Sequence, residues 1–350
     1  MPKPVVRRVA TLSFLVVAAG LFGWLQAAWA GDRSGPVDVH VALPQDENIA
    51  TAAAADLLRQ IGPLLPRPLK LRSAPGASAP ERDARTAHHL KQDLLAGKID
   101  AALLPASAFL RQSALFGADQ IPFLNGSIAD ADAFAAAWQP VLARRLREHD
   151  LTLLALVPMR PVVLQANGAL PTREPGSLAV ADGASRRLAE LARLRAVADG
   201  KADLALSPLP RPGLAETSAS DIGQALALAG WPHALLIVRA DTFAGSAENE
   251  IWQDPIAPLA RAAGENTRAL WAKEISRTRW GKDFALLGAA PARPNEEAVP
   301  AGTPVPEAAL KDALIAASRR MAQEWAIDGG ADGLTFLRSL GIERAQGTEP

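Results

Sequence analysis

The chain has 350 residues, 37 Lys and Arg against 37 Asp and Glu, 49% hydrophobic residues, 28 Pro, no Cys and no Tyr. That apolar content supports one large domain or two modest ones, and it excludes a mostly disordered chain or a multi-span membrane protein. Without cysteine there is no disulfide framework, thiolate zinc site, iron–sulfur cluster or Cys nucleophile, and a zero formal charge argues against a nucleic-acid partner.

The N-terminus opens with a basic head of Lys3, Arg7 and Arg8, an apolar stretch from Leu12 to Leu25, and the small-x-small string Ala28-Trp29-Ala30. That order predicts a secretory signal cleaved after Ala30, giving a mature protein that begins at Gly31. The apolar stretch would cover only about 21 Å at ~1.5 Å per residue, against a hydrocarbon core of ~30 Å. Removing the signal leaves 34 basic residues facing the 37 acidic ones, a mildly acidic protein.

A strand is predicted over Val37 to Leu43, followed by polar residues 44–48 and a helix to about Ile61. Polar residues between a strand and a helix N-terminus place N–H donors at the strand's carboxyl end, where ligands sit in open α/β sheets. A second strand over 66–72, a loop over 73–80, a helix over 86–96 capped by Gly97 and a buried strand over 99–104 complete a βαβαβ order, the sign of a mostly parallel sheet. A helix follows over 130–147, then strands over 151–157 and 162–165, separated by the stiff crossover Pro158-Met159-Arg160-Pro161. A helix over 184–198 and strands over 203–206 and 234–239 are expected to form a smaller second sheet. Asp254 and Pro255 read as the cap and first residue of a long helix with a core stripe of Ile256, Leu259, Ala263, Leu270 and Ile275. Four prolines make 289–304 a loop, and Leu310, Leu314, Ala317, Met321 and Trp325 mark a last amphipathic helix.

Several strings, in order, resemble the solute-binding subunits of TRAP (tripartite ATP-independent periplasmic) transporters. They are LKQDLLAGKID over Leu90 to Asp100, then Phe109, then QIPFL over Gln120 to Leu124. Others are the strand, Arg and Asn of Leu151 to Asn167, the second helix-Gly-x-x-Asp turn of Ala198 to Asp203, and the strand and long helix of Arg239 to Trp280. The resemblance implies an α/β, two-lobe periplasmic-binding-protein-like clamshell with mostly parallel sheets and a long inter-lobe helix. Lobe I would comprise 31–158 with about 240–290, and a shortened lobe II 159–239. Residues 291–350, the Pro-rich loop and C-terminal helices, would pack on the lobes. The implied function is a periplasmic receptor, monomeric and without cofactor or metal. It would capture a small anionic organic acid and hand it to a TRAP-type membrane permease; a sensor or accessory role on the same fold is the alternative.

Within that frame Arg160 is the one family arginine that survives, while Ala181 falls where a second, ligand-pairing arginine would stand. A guanidinium held between prolines can make a bidentate contact with an anion, or an inter-lobe ion pair. Gln45, Asp46 and Asn48 lie between strand and helix as ligand contacts or helix caps. Ser107 and Ser207 each follow a strand, where a hydroxyl can meet the ligand or cap a helix, and Trp231 can wall the cleft or fill core. His88 and His89 point about 100° apart on a helix and read as solvated. No H-E-x-x-H, G-x-S-x-G, S-x-x-K or Walker A string is present, so the sequence speaks against an enzyme.

Overall fold

The computed structural model describes residues 35–44, 47–65, 67–73, 80–125, 128–166, 177–179, 183–197, 202–208, 224–243, 253–277 and 307–342. The predicted signal segment, the 289–304 loop, Asn167 and Ala181 lie outside these residues.

Two five-stranded sheets organise the chain. In the first, β1 (Val37–Val41) runs parallel to β2 (Leu69–Ser73) and β3 (Ala101–Pro105), while β10 (His233–Arg239) runs antiparallel between β3 and β4 (Leu151–Pro158). The order is β2-β1-β3-β10-β4, so every strand but β10 points the same way. In the second, β6 (Ser177–Ala179) lies parallel to β7 (Arg195–Val197) and β8 (Leu204–Pro208), and β5 (Val162–Ala166) runs antiparallel to β8 and to β9 (Gln224–Gly230). Each sheet is thus mixed rather than mostly parallel, with two parallel and two antiparallel ladders, and in each the reversed strand is the one arriving from the other lobe.

This arrangement corrects one expectation. The strand over 234–239 belongs to the first sheet, between β3 and β4, and not to the second. Its burial explains the placement: residues 233 to 238 are all buried, which only a central strand covered on both faces allows. Ala234, Leu236 and Val238 enter one core while Leu235 and Ile237 enter the other.

One face of the first sheet is covered by α1 (Asn48–Ile61) and the long α5 (Gln253–Arg277). The other is covered by α2 (Pro80–Leu95), α3 (Ile128–Arg147) and the C-terminal pair α6 (Glu307–Asp328) and α7 (Gly330–Ser339). Gly97 closes α2 at φ +71°, as a left-handed cap requires, with Arg239 packed where a Cβ would stand. The helix predicted over 184–198 stops early. The chain forms α4 (Gly183–Leu191), turns through Arg193 at φ 57°, and enters β7 at the sheet edge. Hydrogen bonds from Ala192 to Leu188 and from Leu194 to Ala189 close that helix end.

The long helix begins at Gln253, one residue before the expected cap. Its buried stripe runs through Ile256, Ala260, Thr267, Arg268 and Trp271, and Leu270 is half exposed rather than core. The helical period fixes this phase, because Ile256 and Trp271 lie fifteen residues, about four turns, apart. No described helix is long and apolar enough to cross a membrane.

Candidate ligand site at the two crossovers

The chain passes between lobes twice among the described residues, outward through Met159-Arg160-Pro161 and back through Trp231-Pro232. The two segments lie side by side: His233 pairs with Pro158, Val162 with Gly230, and the Met159 N–H donates to the Pro232 carbonyl at 2.8 Å. The carboxyl ends of β1, β3 and β4 point to this region from lobe I. In lobe II the register puts Pro208 at the end of β8 and Gly230 at the end of β9 opposite Val162, the first residue of β5. Carboxyl ends of parallel strands from both lobes therefore converge on one place, the position of ligand clefts in open α/β sheets.

Arg160 sits in the outward crossover with its side chain 10% exposed. Its backbone N–H donates to Oε2 of Glu47 at 2.9 Å, and its Nε lies 3.9 Å from Glu47 Oε1. Glu47 stands just before α1, where its carbonyl accepts the Thr51 N–H, and is itself almost wholly buried. Burial raises its carboxyl from 4.5 to about 7, against the opposing pull of the Arg160 N–H. At 3.9 Å the guanidinium does not offset that desolvation.

Of the other predicted residues, Gln45 and Asp46 lie outside the described residues, and Asn48 is the exposed first residue of α1. Ser107 is half-buried inside a 3-10 turn (Ala106–Phe109) after β3, whose cap position is Pro105. Ser207 lies within β8 opposite Val163, and its buried Oγ has no hydrogen-bond partner. The helix-capping alternative therefore applies to neither serine. Trp231 is fully buried in a cluster with Ala131, Val163 and Trp271, with Ile49 and Leu228 packed against it, and the Nε1–H groups of Trp231 and Trp271 are unpartnered. The structure thus brings Arg160, Ser207 and Trp231 to the crossovers, with Asn48 at the N-terminus of α1 beside Glu47. Ser107 follows the carboxyl end of β3.

Several residues that hold this region escaped the sequence reading. Loop 119–125 clasps the returning crossover: Asn125 Nδ2 donates to the Trp231 carbonyl and its Oδ1 accepts the Trp231 N–H, both at 3.1 Å. Phe123, at φ 63°, donates its N–H to the Ala229 carbonyl, and Asp119 Oδ2 accepts the His233 N–H at 2.7 Å. The His233 ring is wholly buried, stacked on Phe134, and burial pushes its imidazolium down while the same burial pushes the Asp119 carboxyl up. Arg268 on α5 pairs with Asp132 on α3. Only Glu47 had a usable sequence signal, a carboxylate at a strand–helix junction opposite a lone arginine.

This is the geometry of a two-lobe α/β clamshell. No protein-family model matches the sequence, and no curated protein matches it. Solved structures do match, and they give the chain the fold of TRAP periplasmic solute-binding proteins. DctP6, a Bordetella pertussis extracytoplasmic solute receptor binding pyroglutamic acid, is 17% identical with a TM-score of 0.59, covering 88% of this chain and 100% of that one. A TRAP periplasmic solute-binding protein from Rhodobacter sphaeroides in an apo open structure gives 11% identity and a TM-score of 0.62, covering 87% and 98%. Another from Ralstonia eutropha H16, with bound (S)-2-acetolactate, gives 14% and 0.55, covering 88% and 98%.

Proposed function

We propose that this protein is a periplasmic solute receptor that captures a small organic acid between its lobes and delivers it to a TRAP-type membrane permease. The observation that carries the reading is Arg160, a nearly buried guanidinium in the crossover on which the strand ends of both sheets converge. Desolvation strengthens its attraction for a carboxylate, and its planar fork suits bidentate recognition. The unpartnered indole N–H groups of Trp231 and Trp271 and the Ser207 hydroxyl add polar groups in the same region. The fold neighbours named above bind pyroglutamic acid and acetolactate, both small carboxylates. The role is binding alone. Ligand favours the closed arrangement only by its extra affinity for it, and the closed form is what a permease would recognise.

A thermal-shift screen of the protein against organic acids, sugars and amino acids tests this, because a ligand that binds only the folded state raises its melting temperature. An organic acid should give the largest rise, and Arg160→Ala should stay folded yet lose about 2 to 5 kcal/mol of affinity. Unchanged affinity in that variant removes the site, and a panel with no stabilising acid removes the function.

A further inference from the structure

Glu47 faces the same arginine that the ligand would use. Its side chain is 5% exposed, its Oε2 accepts the Arg160 N–H at 2.9 Å, and its Oε1 is 3.9 Å from the Arg160 Nε. The residue is held in place by the N-terminal turn of α1, where Glu47 N–H donates to the Pro44 carbonyl and Thr51 N–H donates to the Glu47 carbonyl. A carboxylate arriving at the Arg160 guanidinium therefore meets a second carboxylate already buried against it. Two such groups on one cation repel, and the repulsion is relieved when one of them holds a proton.

We propose that Glu47 makes anion capture proton-linked: when a carboxylate ligand engages Arg160, the Glu47 carboxylate takes one proton from solvent and becomes a neutral carboxyl. The inference rests on the reading of Arg160 as the anion contact. It makes Glu47 a determinant of the pH range over which the site takes carboxylates.

The charged groups on the elements around Glu47 are few. Arg160 stands on the crossover, and Asp56 and Arg59 on α1 pair with each other. On α5, which packs along α1, Arg268 is paired with Asp132, and the other charged residues are Asp254, Arg261, Glu265, Lys273, Glu274 and Arg277. The neighbouring Asp46 lies outside the described residues. Burial already brings the carboxyl to about 7, so a bound carboxylate has only to move it upward from neutrality. Well below that value Glu47 is protonated before the ligand arrives and none is taken up. Above it, Glu47 is ionised in the free protein and each ligand brings a proton in with it.

Calorimetric titration with pyroglutamate and with acetolactate tests this on the intact protein, at about pH 8 in phosphate and in Tris, buffers that differ in ionisation heat, with affinities followed from about pH 6 to about pH 8.5. Wild type should show buffer-dependent heats equivalent to an uptake approaching one proton, and an affinity that weakens up to about 10-fold per pH unit above 7. Glu47→Gln, whose amide oxygen still accepts the Arg160 N–H, should bind the same probe with buffer-independent heat and a flat pH profile. Buffer-independent heat and a flat profile in wild type overturn the proposal while leaving anion capture intact. So does proton uptake that persists in Glu47→Gln. Absence of binding in both proteins across the pH range overturns anion capture itself, and this inference with it.

Discussion

Burial governs the charged side chains that hold the crossovers. Glu47, Asp119 and Arg268 are all enclosed, and each is tolerated because a hydrogen bond or an opposite charge meets it, while the His233 ring is buried with its acidic form disfavoured. For Glu47 the compensation is incomplete, and the consequence for stability has a definite sign. Its folded pKa, about 7, lies above the ordinary 4.5, so between these values the folded protein keeps a proton that the unfolded chain gives up. That contribution is fully present below about pH 4.5 and is lost as pH rises through about 7, a penalty on the order of 3 kcal/mol. Glu47→Gln cannot ionise and should escape it. Urea denaturation should find the variant little different from wild type near pH 4 and more stable near pH 8. A gap that does not grow with pH would show that Glu47 ionises without cost.

At the scale of elements, the return crossover is fixed by loop 119–125 rather than by its own sheet. Asn125 satisfies both backbone groups of Trp231 where water does not reach, so Asn125→Ala leaves a buried N–H and C=O unpaired, at about 2 to 4 kcal/mol. Gly230 is the counterpart: a Cβ there would stand 2.7 Å from Asn125 Oδ1, with the next atoms at ordinary distance. Gly230→Ala should therefore be strongly destabilising in wild type and much less so in Asn125→Ala. A double-mutant cycle on melting free energies should show coupling of about 1 kcal/mol or more, and simple additivity would mean the clash is absorbed elsewhere. Sequence could not reveal this clasp, because Asn125 and Trp231 are 106 residues apart and neither carries a local pattern. Arg160 was legible because two prolines and a strand on each side mark a crossover locally. The short strands β6 and β7 were hard to see for the opposite reason: three residues show no period, and they are strands only through their ladder to each other and that of β6 to β8.

Across the whole molecule, the βαβ order and the helix stripes were readable because each buries one face at a fixed period, whereas the sheet that claims β10 is decided only by pairing at a distance. The same long-range pairing determines how the lobes can move. Two crossovers join them, and α6 adds a third connection. On the lobe II side Arg187 of α4 grips Glu324 of α6 through two contacts at 2.5 and 2.9 Å. On the lobe I side Trp325 donates to the Ala114 carbonyl and Ser318 to that of Pro122. The ion pair is about half exposed, so its loss should cost little stability. Its mechanical effect should be larger, since it adds a directional tie to the apolar packing of α4 on α6. The absence of native cysteine lets one label be placed on each edge strand, by Lys70→Cys on β2 and Ala196→Cys on β7. Spin-label distances should shorten when a stabilising acid is added, because a ligand held between hinged lobes favours the closed arrangement. In the ligand-free protein, Arg187→Ala should broaden the distribution without unfolding the chain. A narrow distribution unchanged by both ligand and variant would mean that α6 and the crossovers lock the lobes into one arrangement, leaving capture to proceed without closure.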